Sequence, residues 1–229
     1  MDYQRDGFSL HRQVIPAALV GRLIACVARI QAGIGGLPPH LRRRLTLERD
    51  ISATARDGFS ATGDAIFIIG DPAAFDPVFA SLARIPAIVG PAVEALGTTA
   101  LITHFCNVTI KHPRFGRRIN WHRDFPNQYV SPPTPRFLRL MICLDGMDPE
   151  SGATAFVPGS HLGLGDSAAP RTVSCGPGDM VLIHPEVLHG SEMNRSDRWR
   201  RNVIFQVGTA DAPPTQTPDD ESLFGTAFG

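Results

Sequence analysis

From Thr99 onward the sequence falls into short apolar segments separated by glycine and proline, and this texture limits the possible folds more than any other feature of the chain. The segments lie at 100–111, 117–125, 136–145, 153–157, 171–175, 179–184, 187–191 and 200–208. Many short strands at close spacing build a sandwich or a barrel. Upstream the period changes. Pro16 opens a helix at its permitted first-turn position, and Val20, Leu23, Ile24, Val27, Ile30 and Ile34 form one apolar stripe along it. Gly33, Gly35 and Gly36 end that helix. A second helical stretch at 75–96 is expected to break at Pro86 and Pro91. Short strands are expected at Phe8-Ser9-Leu10 and over 65–69. Helices upstream and strands downstream make the class α+β, with N-terminal helices packed against a β-barrel or jelly roll.

At 229 residues the chain reads as a single domain in three parts. Residues 1–98 are mainly helical, 99–208 form the strand core, and 209–229 are a loose tail without an apolar period. The charge-rich stretch within 37–64 reads as a solvated loop, or alternatively as a flap whose arginines meet an anionic substrate. Balanced charge, 22 basic against 22 acidic residues, gives no basic excess to attract nucleic acid. Four cysteines lie far apart without a Cys-x-x-Cys pair, so buried free thiols are expected rather than a disulfide framework. No basic segment followed by an apolar run marks a signal peptide, and no apolar stretch is long enough to span a membrane. A cytoplasmic protein without nucleic-acid or membrane partners is expected. The oligomeric state is not legible.

The chemistry centres on Asn120-Trp121-His122-Arg123-Asp124-Phe125. In a strand, side chains repeat every two residues, so His122 and Asp124 point to one side. A third ligand from another strand would complete a 2-His-1-carboxylate face, which holds Fe(II) and leaves positions open. His189 is the leading candidate.

Two further stretches add to this block. Leu144-Asp145-Gly146-Met147-Asp148-Pro149-Glu150-Ser151-Gly152-Ala153 leads to Val157-Pro158-Gly159-Ser160-His161. Gly176-Pro177-Gly178-Asp179 leads to His189-Gly190-Ser191 and then to Arg200-Arg201-Asn202. In this order, and together with the His122–Asp124 block, they resemble the phytanoyl-CoA dioxygenase family of Fe(II)- and 2-oxoglutarate-dependent oxygenases, ectoine hydroxylases among them. The resemblance covers 99–208 and reaches the N-terminus through Tyr3-Gln4-Arg5-Asp6-Gly7-Phe8.

The resemblance implies a double-stranded β-helix, a cupin-like jelly roll, with iron held by His122, Asp124 and His189. It implies 2-oxoglutarate as cosubstrate, with Arg200 at the family's offset from the last histidine to bind the distal carboxylate. Strand alternation alone cannot choose between Arg200 and Arg201, which face opposite ways. Ser191 matches a serine that contacts the cosubstrate, Lys111 a lysine near the oxo acid, and Asn107 lies on the same strand face as Lys111. For Lys111 the alternative is an edge-strand lysine in water. The reaction implied consumes O2, hydroxylates an aliphatic C–H and releases succinate and CO2. Related halogenases have Gly or Ala at the position of Asp124, so the carboxylate favours hydroxylation.

Arg139 interrupts an apolar run that reads as a central strand, where a charge is costly unless paired. It either pairs with a structural acid or faces the cavity and holds a carboxylate or phosphate of the substrate. Phe125 and Gln128, just beyond the metal pair, are further candidate substrate contacts. His161 and His184 read as structural, and His104 and His112 lack a partner at strand spacing. The expected substrate is a small polar, anionic metabolite such as an amino-acid derivative, a phosphonate or a natural-product intermediate. Two alternatives stand beside it. One is a metal- or ligand-binding β-barrel without turnover, against which Arg200 argues. The other is an oxygenase of the same kind carrying out desaturation, cyclisation or epimerisation.

Overall fold

The computed structural model describes residues 1–51, 63–126, 130–163, 168–215 and 221–229. Among the described residues, eleven strands form two antiparallel sheets. The larger has the order β1-β9-β6-β11-β4-β3-β2, from β1 (Phe8–His11), β9 (Met180–Ile183), β6 (Phe137–Cys143), β11 (Arg200–Thr209), β4 (Leu101–Lys111), β3 (Ile66–Gly70) and β2 (Leu45–Leu47). The smaller has the order β5-β10-β7-β8, from β5 (Ile119–His122), β10 (His189–Ser191), β7 (Thr154–Phe156) and β8 (Arg171–Thr172). All eight strands expected downstream of Thr99 are present. The fold is a mixed helix and jelly-roll architecture.

Alternation along the central strands assigns every side chain to one of two environments. On β11, Val203, Phe205 and Val207 face a core shared with the helices. Arg200, Asn202, Ile204 and Gln206 have the opposite parity, and Ile204 packs into the second core, between the sheets. On β6, Leu138, Leu140 and Ile142 lie on the helix side, while Met141 and Cys143 lie between the sheets. A one-residue slip would exchange these sets, so burial on both faces pins the register. Among the described residues the α-helices are α1 (Tyr3–Asp6), α2 (Ala17–Ala32), α3 (Pro39–Arg42), α4 (Val78–Ser81) and α5 (Pro86–Leu96). The helix side is covered by α2, whose buried Val20, Leu23, Val27 and Ile30 follow the expected stripe with Cys26 beside them, and by α5. All four cysteines are buried free thiols. Among the described residues no single helix is long and apolar enough to cross a membrane.

Four expectations need correction. Pro86 starts α5 as its first residue, but Pro91 does not break it. The missing N–H is outweighed because Ile88 and Ala92 are fully buried against the core. Within the charge-rich stretch, β2 pairs with β3 through Leu45↔Ile69 and Thr46↔Ile68, a strand too short to carry a pattern of its own. The flap reading spans 37–64: its part at 52–62 lies outside the described residues, and in the described part Arg44 pairs with Asp71 (2.7 Å) and Arg42 and Arg49 with Asp64 (3.6 and 2.6 Å). The strand expected at 117–125 ends at His122, because the N–H groups of Asp124 (2.7 Å) and Phe125 (2.9 Å) both donate to the Pro185 carbonyl instead of continuing the ladder. Finally, the tail is not loose over 221–229. Phe228 is 1 % exposed, sits edge-on to Phe205 at 5.7 Å, and its N–H donates to Leu101 O at 3.0 Å. Two phenylalanines, Phe224 and Phe228, make no period in the tail, yet Phe228 fills the helix-side core.

Candidate metal centre and anion site

His122 and His189 are cross-strand partners on β5 and β10, which sets their rings 4.3 Å apart. Each Nδ1 lies against the carbonyl two residues earlier, His122 on Asn120 O at 2.8 Å and His189 on Val187 O at 2.9 Å. A carbonyl only accepts, so Nδ1 carries a proton in both rings and Nε2 is the atom left facing Asp124. Asp124, whose side chain is fully buried, completes the group: Oδ1 is 3.6 Å from His122 Nε2 and Oδ2 is 3.8 Å from His189 Nε2. One donor atom from each residue lies within 4.8 Å of the others.

The protonation states suit a cation. Burial works to raise the pKa of Asp124, but the Arg139 guanidinium and the two imidazoles outweigh it and hold the carboxyl at about 2. Burial pushes His189 down to about 4, so it is neutral at physiological pH. A carboxylate and neutral imidazoles are the forms that ligate metals. Two nitrogens, one carboxylate and an adjoining cavity match an open Fe(II) site.

A cavity of about 280 Å3 adjoins this group and is lined by His122, His189, Asn107, Arg139, Ser191 and Arg200, with apolar walls that include Ile119 and Ile204. Arg200 is 2 % exposed. Its Nη2 donates to Thr154 Oγ1 at 2.8 Å and lies near the sulfurs of Met147 (3.5 Å) and Met141 (3.9 Å). With the Asn202 amide turned to satisfy both its neighbours, that amide oxygen accepts from Nη2 at 3.1 Å. No carboxylate pairs with Arg200 among the described residues, and its Nε has no partner there. Burial lowers its pKa to about 10, which leaves it charged at neutral pH. Arg201 faces the other way and is bound by both oxygens of Asp145, at 2.8 and 2.5 Å. The two arginines that alternation could not separate are therefore distinct: one has an acid, the other has a cavity.

Lys111 lies opposite Arg200 in the β4–β11 ladder and is fully buried, which removes the reading as a lysine in water. Nor does it line the cavity. Its Nζ meets Ser191 Oγ (2.8 Å), Gly152 O (3.2 Å) and Glu192 O. These are as many acceptors as an ammonium has protons. Burial, and then the nearby Arg200 charge, pull its pKa to about 6, against which the three oxygens favour the charged form. Ser191 lines the cavity and is held by Lys111. Asn107 also lines it, and its Oδ1 is 3.4 Å from Thr109 Oγ1.

Arg139 stands on the cavity wall, and its Nη1 pairs with Asp124 Oδ1 at 2.7 Å, so this residue has an acid as partner while it faces the cavity. Phe125 packs edge-on to Phe137 at 6.2 Å and is not among the residues that line the cavity. Gln128 lies outside the described residues. Sequence reasoning missed Thr154, Gln206 and His104 as neighbours of the site. A buried threonine under an arginine leaves no pattern in the chain. The out-of-period His104 was visible but could not be given a partner.

The sequence model of the family described as phytanoyl-CoA dioxygenase matches residues 3–202. The chain belongs to this family. A relative in Rattus norvegicus, phytanoyl-CoA dioxygenase domain-containing protein 1, is 30 % identical over 158 residues, which is 58 % of this chain and 54 % of that protein. The chain thus spans little more than half the length of that relative and of its mouse counterpart. L-proline trans-4-hydroxylase of Streptomyces griseoviridis is 27 % identical over 63 % of this chain and 69 % of its own. Among solved structures, EctD from S. alaskensis with 2-oxoglutarate and 5-hydroxyectoine superimposes with a TM-score of 0.79 at 20 % identity, covering 99 % of this chain and 83 % of that one. The epimerase SnoN from nogalamycin biosynthesis gives 0.70 at 22 % identity, over 95 % and 84 %. At these identities the superpositions establish a shared fold.

Proposed function

We propose that the chain is an Fe(II)- and 2-oxoglutarate-dependent oxygenase that hydroxylates an aliphatic C–H of a small metabolite. The observation that carries this reading is Arg200, a buried guanidinium without a carboxylate among the described residues, on the same cavity as His122 and His189, which Asp124 joins in the candidate metal group. A metal site alone needs no such cation. A keto-diacid supplies what is missing, since a guanidinium fork donates two parallel hydrogen bonds to a carboxylate. The family relatives named as hydroxylase and dioxygenase support the reading.

Fe(II), when bound with the oxo acid and O2, supplies oxidative decarboxylation to succinate and CO2 and the oxidation of C–H to C–OH. The chain's residues do the rest. His122, Asp124 and His189 would hold the metal, with the two imidazoles aimed by their Nδ1–carbonyl bonds. Arg200 and Thr154 would anchor the far end of the oxo acid, and Lys111 fixes Ser191 beside it rather than touching the acid itself. The walls Ile119 and Ile204 exclude water from the reacting carbon.

A small substrate suits this site, because the oxo acid must share a cavity whose 280 Å3 falls just below the range of about 300 to 1,000 Å3 for ligand pockets. An amino-acid-sized molecule fits these limits. The case for an anionic substrate loses Arg139, whose charge faces Asp124. Succinate release from the purified chain tests the function. It should require both Fe(II) and 2-oxoglutarate, stop with a chelator and return when Fe(II) is restored. Release that ignores the metal would refute the assignment.

A further inference from the structure

A line of buried polar groups runs from the candidate metal centre into the large sheet, and nothing in the proposed reaction uses its far end. Asp124 Oδ1 meets Arg139 Nη1 at 2.7 Å. Arg139 Nε lies 3.4 Å from Gln206 Oε1, its direct cross-strand partner on β11. Gln206 Nε2 donates to Val130 O at 2.8 Å and to His104 Nδ1 at 3.1 Å. The Arg139–Gln206 contact is long for a hydrogen bond, but the two shorter bonds from the amide nitrogen leave the amide oxygen facing the guanidinium. The Phe105 ring, 5.4 Å from the guanidinium carbon, supports its other side.

The far end is built with some care. Gln206 pairs with Phe105 and Val207 with Thr103, so His104 is the extra residue of a bulge in β4. A bulge re-aims a side chain that strict alternation would send to the other face. His104 is fully buried, and because Gln206 donates to Nδ1 the ring carries its proton on Nε2. Burial lowers its pKa to about 4, so the imidazole stays neutral. Across the ladder stands Gly208, where an added Cβ would come within 2.4 Å of His104 Cε1. Glycine at 208 and the bulge at 104 together make the seat for this ring. Buried polar groups of this kind are poor stabilisers relative to packed hydrocarbon, so their worth lies in what they hold in place.

We propose that Arg139, oriented by Gln206 and His104, is a positioning residue that sets the Asp124 carboxylate toward the metal face, rather than an anchor for the substrate. The backbone around Asp124 has left the β5 ladder, so strand geometry does not aim this carboxylate as the histidines' carbonyl partners aim theirs. Arg139 draws on Oδ1 while Oδ2 lies toward His189. This inference rests on the proposed metal centre and adds the device that orients its one anionic ligand.

The test uses metal alone. Metal-free wild type, Gln206→Leu and Arg139→Lys are titrated anaerobically with Co(II), reading the dissociation constant, the visible Co(II) spectrum and the melting temperature of the metal-free protein. Gln206→Leu keeps the shape and removes the amide; Arg139→Lys keeps the charge and loses the Nε link. Both should bind Co(II) about tenfold or more weakly, the scale of outer-shell changes at metal sites, with an altered spectrum. If a variant fails to fold, the other carries the test. Wild-type affinity and an unchanged spectrum in a folded variant, even with a lower melting temperature, would show a merely structural chain of bonds and overturn the inference. Failure of the wild type itself to bind Co(II) would overturn the metal centre, and this inference with it.

Discussion

Arg200 and Lys111 face each other across the β4–β11 ladder, are both buried, and are resolved in opposite ways. Lys111 meets three protein oxygens and therefore serves as a cross-link between β4, the Gly152 turn and the segment after β10. Arg200 has a threonine hydroxyl, an amide and two thioethers, but no acid among the described residues. An uncompensated buried charge costs several kcal/mol, a cost that an anionic ligand relieves. Arg200→Leu should therefore keep or raise the melting temperature of the ligand-free protein. The same change should raise the 2-oxoglutarate concentration needed for half-maximal turnover at least about tenfold, since a charge-assisted hydrogen bond contributes about 1.5–3 kcal/mol. An unchanged requirement in steady-state kinetics would remove Arg200 from the cosubstrate site.

At the scale of elements, the C-terminal segment 221–229 behaves as an added edge to β4, with Ile102 bridged to Ala227 and Phe228 filling the core behind it. Phe228→Ala should cost about 3–5 kcal/mol, the usual range for a buried phenylalanine, read from denaturant unfolding. The segment is also titratable. Burial, followed by the neighbouring Asp71, raises Glu221 from 4.5 to about 8. The folded protein thus binds this proton more tightly than the unfolded chain does. The stability it brings is complete below pH 4.5 and is lost as pH rises through about 8. Glu221→Gln should raise the melting temperature above pH 8 and change it little below pH 4.5. Equal shifts at both ends would exclude a buried, proton-bearing Glu221.

Across the whole molecule, each sheet brings a different half of the chemistry. The small sheet presents His122 and His189, and the large sheet presents Arg139 and Arg200. Metal and oxo acid held across that cleft should tie the sheets together. Binding to the folded state alone stabilises by about 2.7 kcal/mol at a hundredfold excess over the dissociation constant. Melting measured with Mn(II), with 2-oxoglutarate and with both should show the largest rise for the pair. In Arg200→Leu the oxo acid's share should disappear while that of Mn(II) remains.

How much of this was written in the sequence depends on the range of the interaction involved. The eight strands after Thr99, the α2 stripe and the spacing of His122 and Asp124 rest on neighbours two to four residues apart, and local periodicity conveys them. The family motifs conveyed the trio and Arg200, which no period could single out from Arg201. The rest was decided by contacts between distant segments. Pro91 stays helical because a core packs against its turn, and Phe228 docks because a gap beside Phe205 accepts it. Lys111 loses its exposure to three oxygens from distant segments, and Arg139 meets the carboxylate of Asp124. The chain alone determined which groups are available and on which face of a strand each lies. Only the tertiary structure decided which of those groups neutralise one another, because desolvation and pairing depend on what the other sheet brings within a few ångströms.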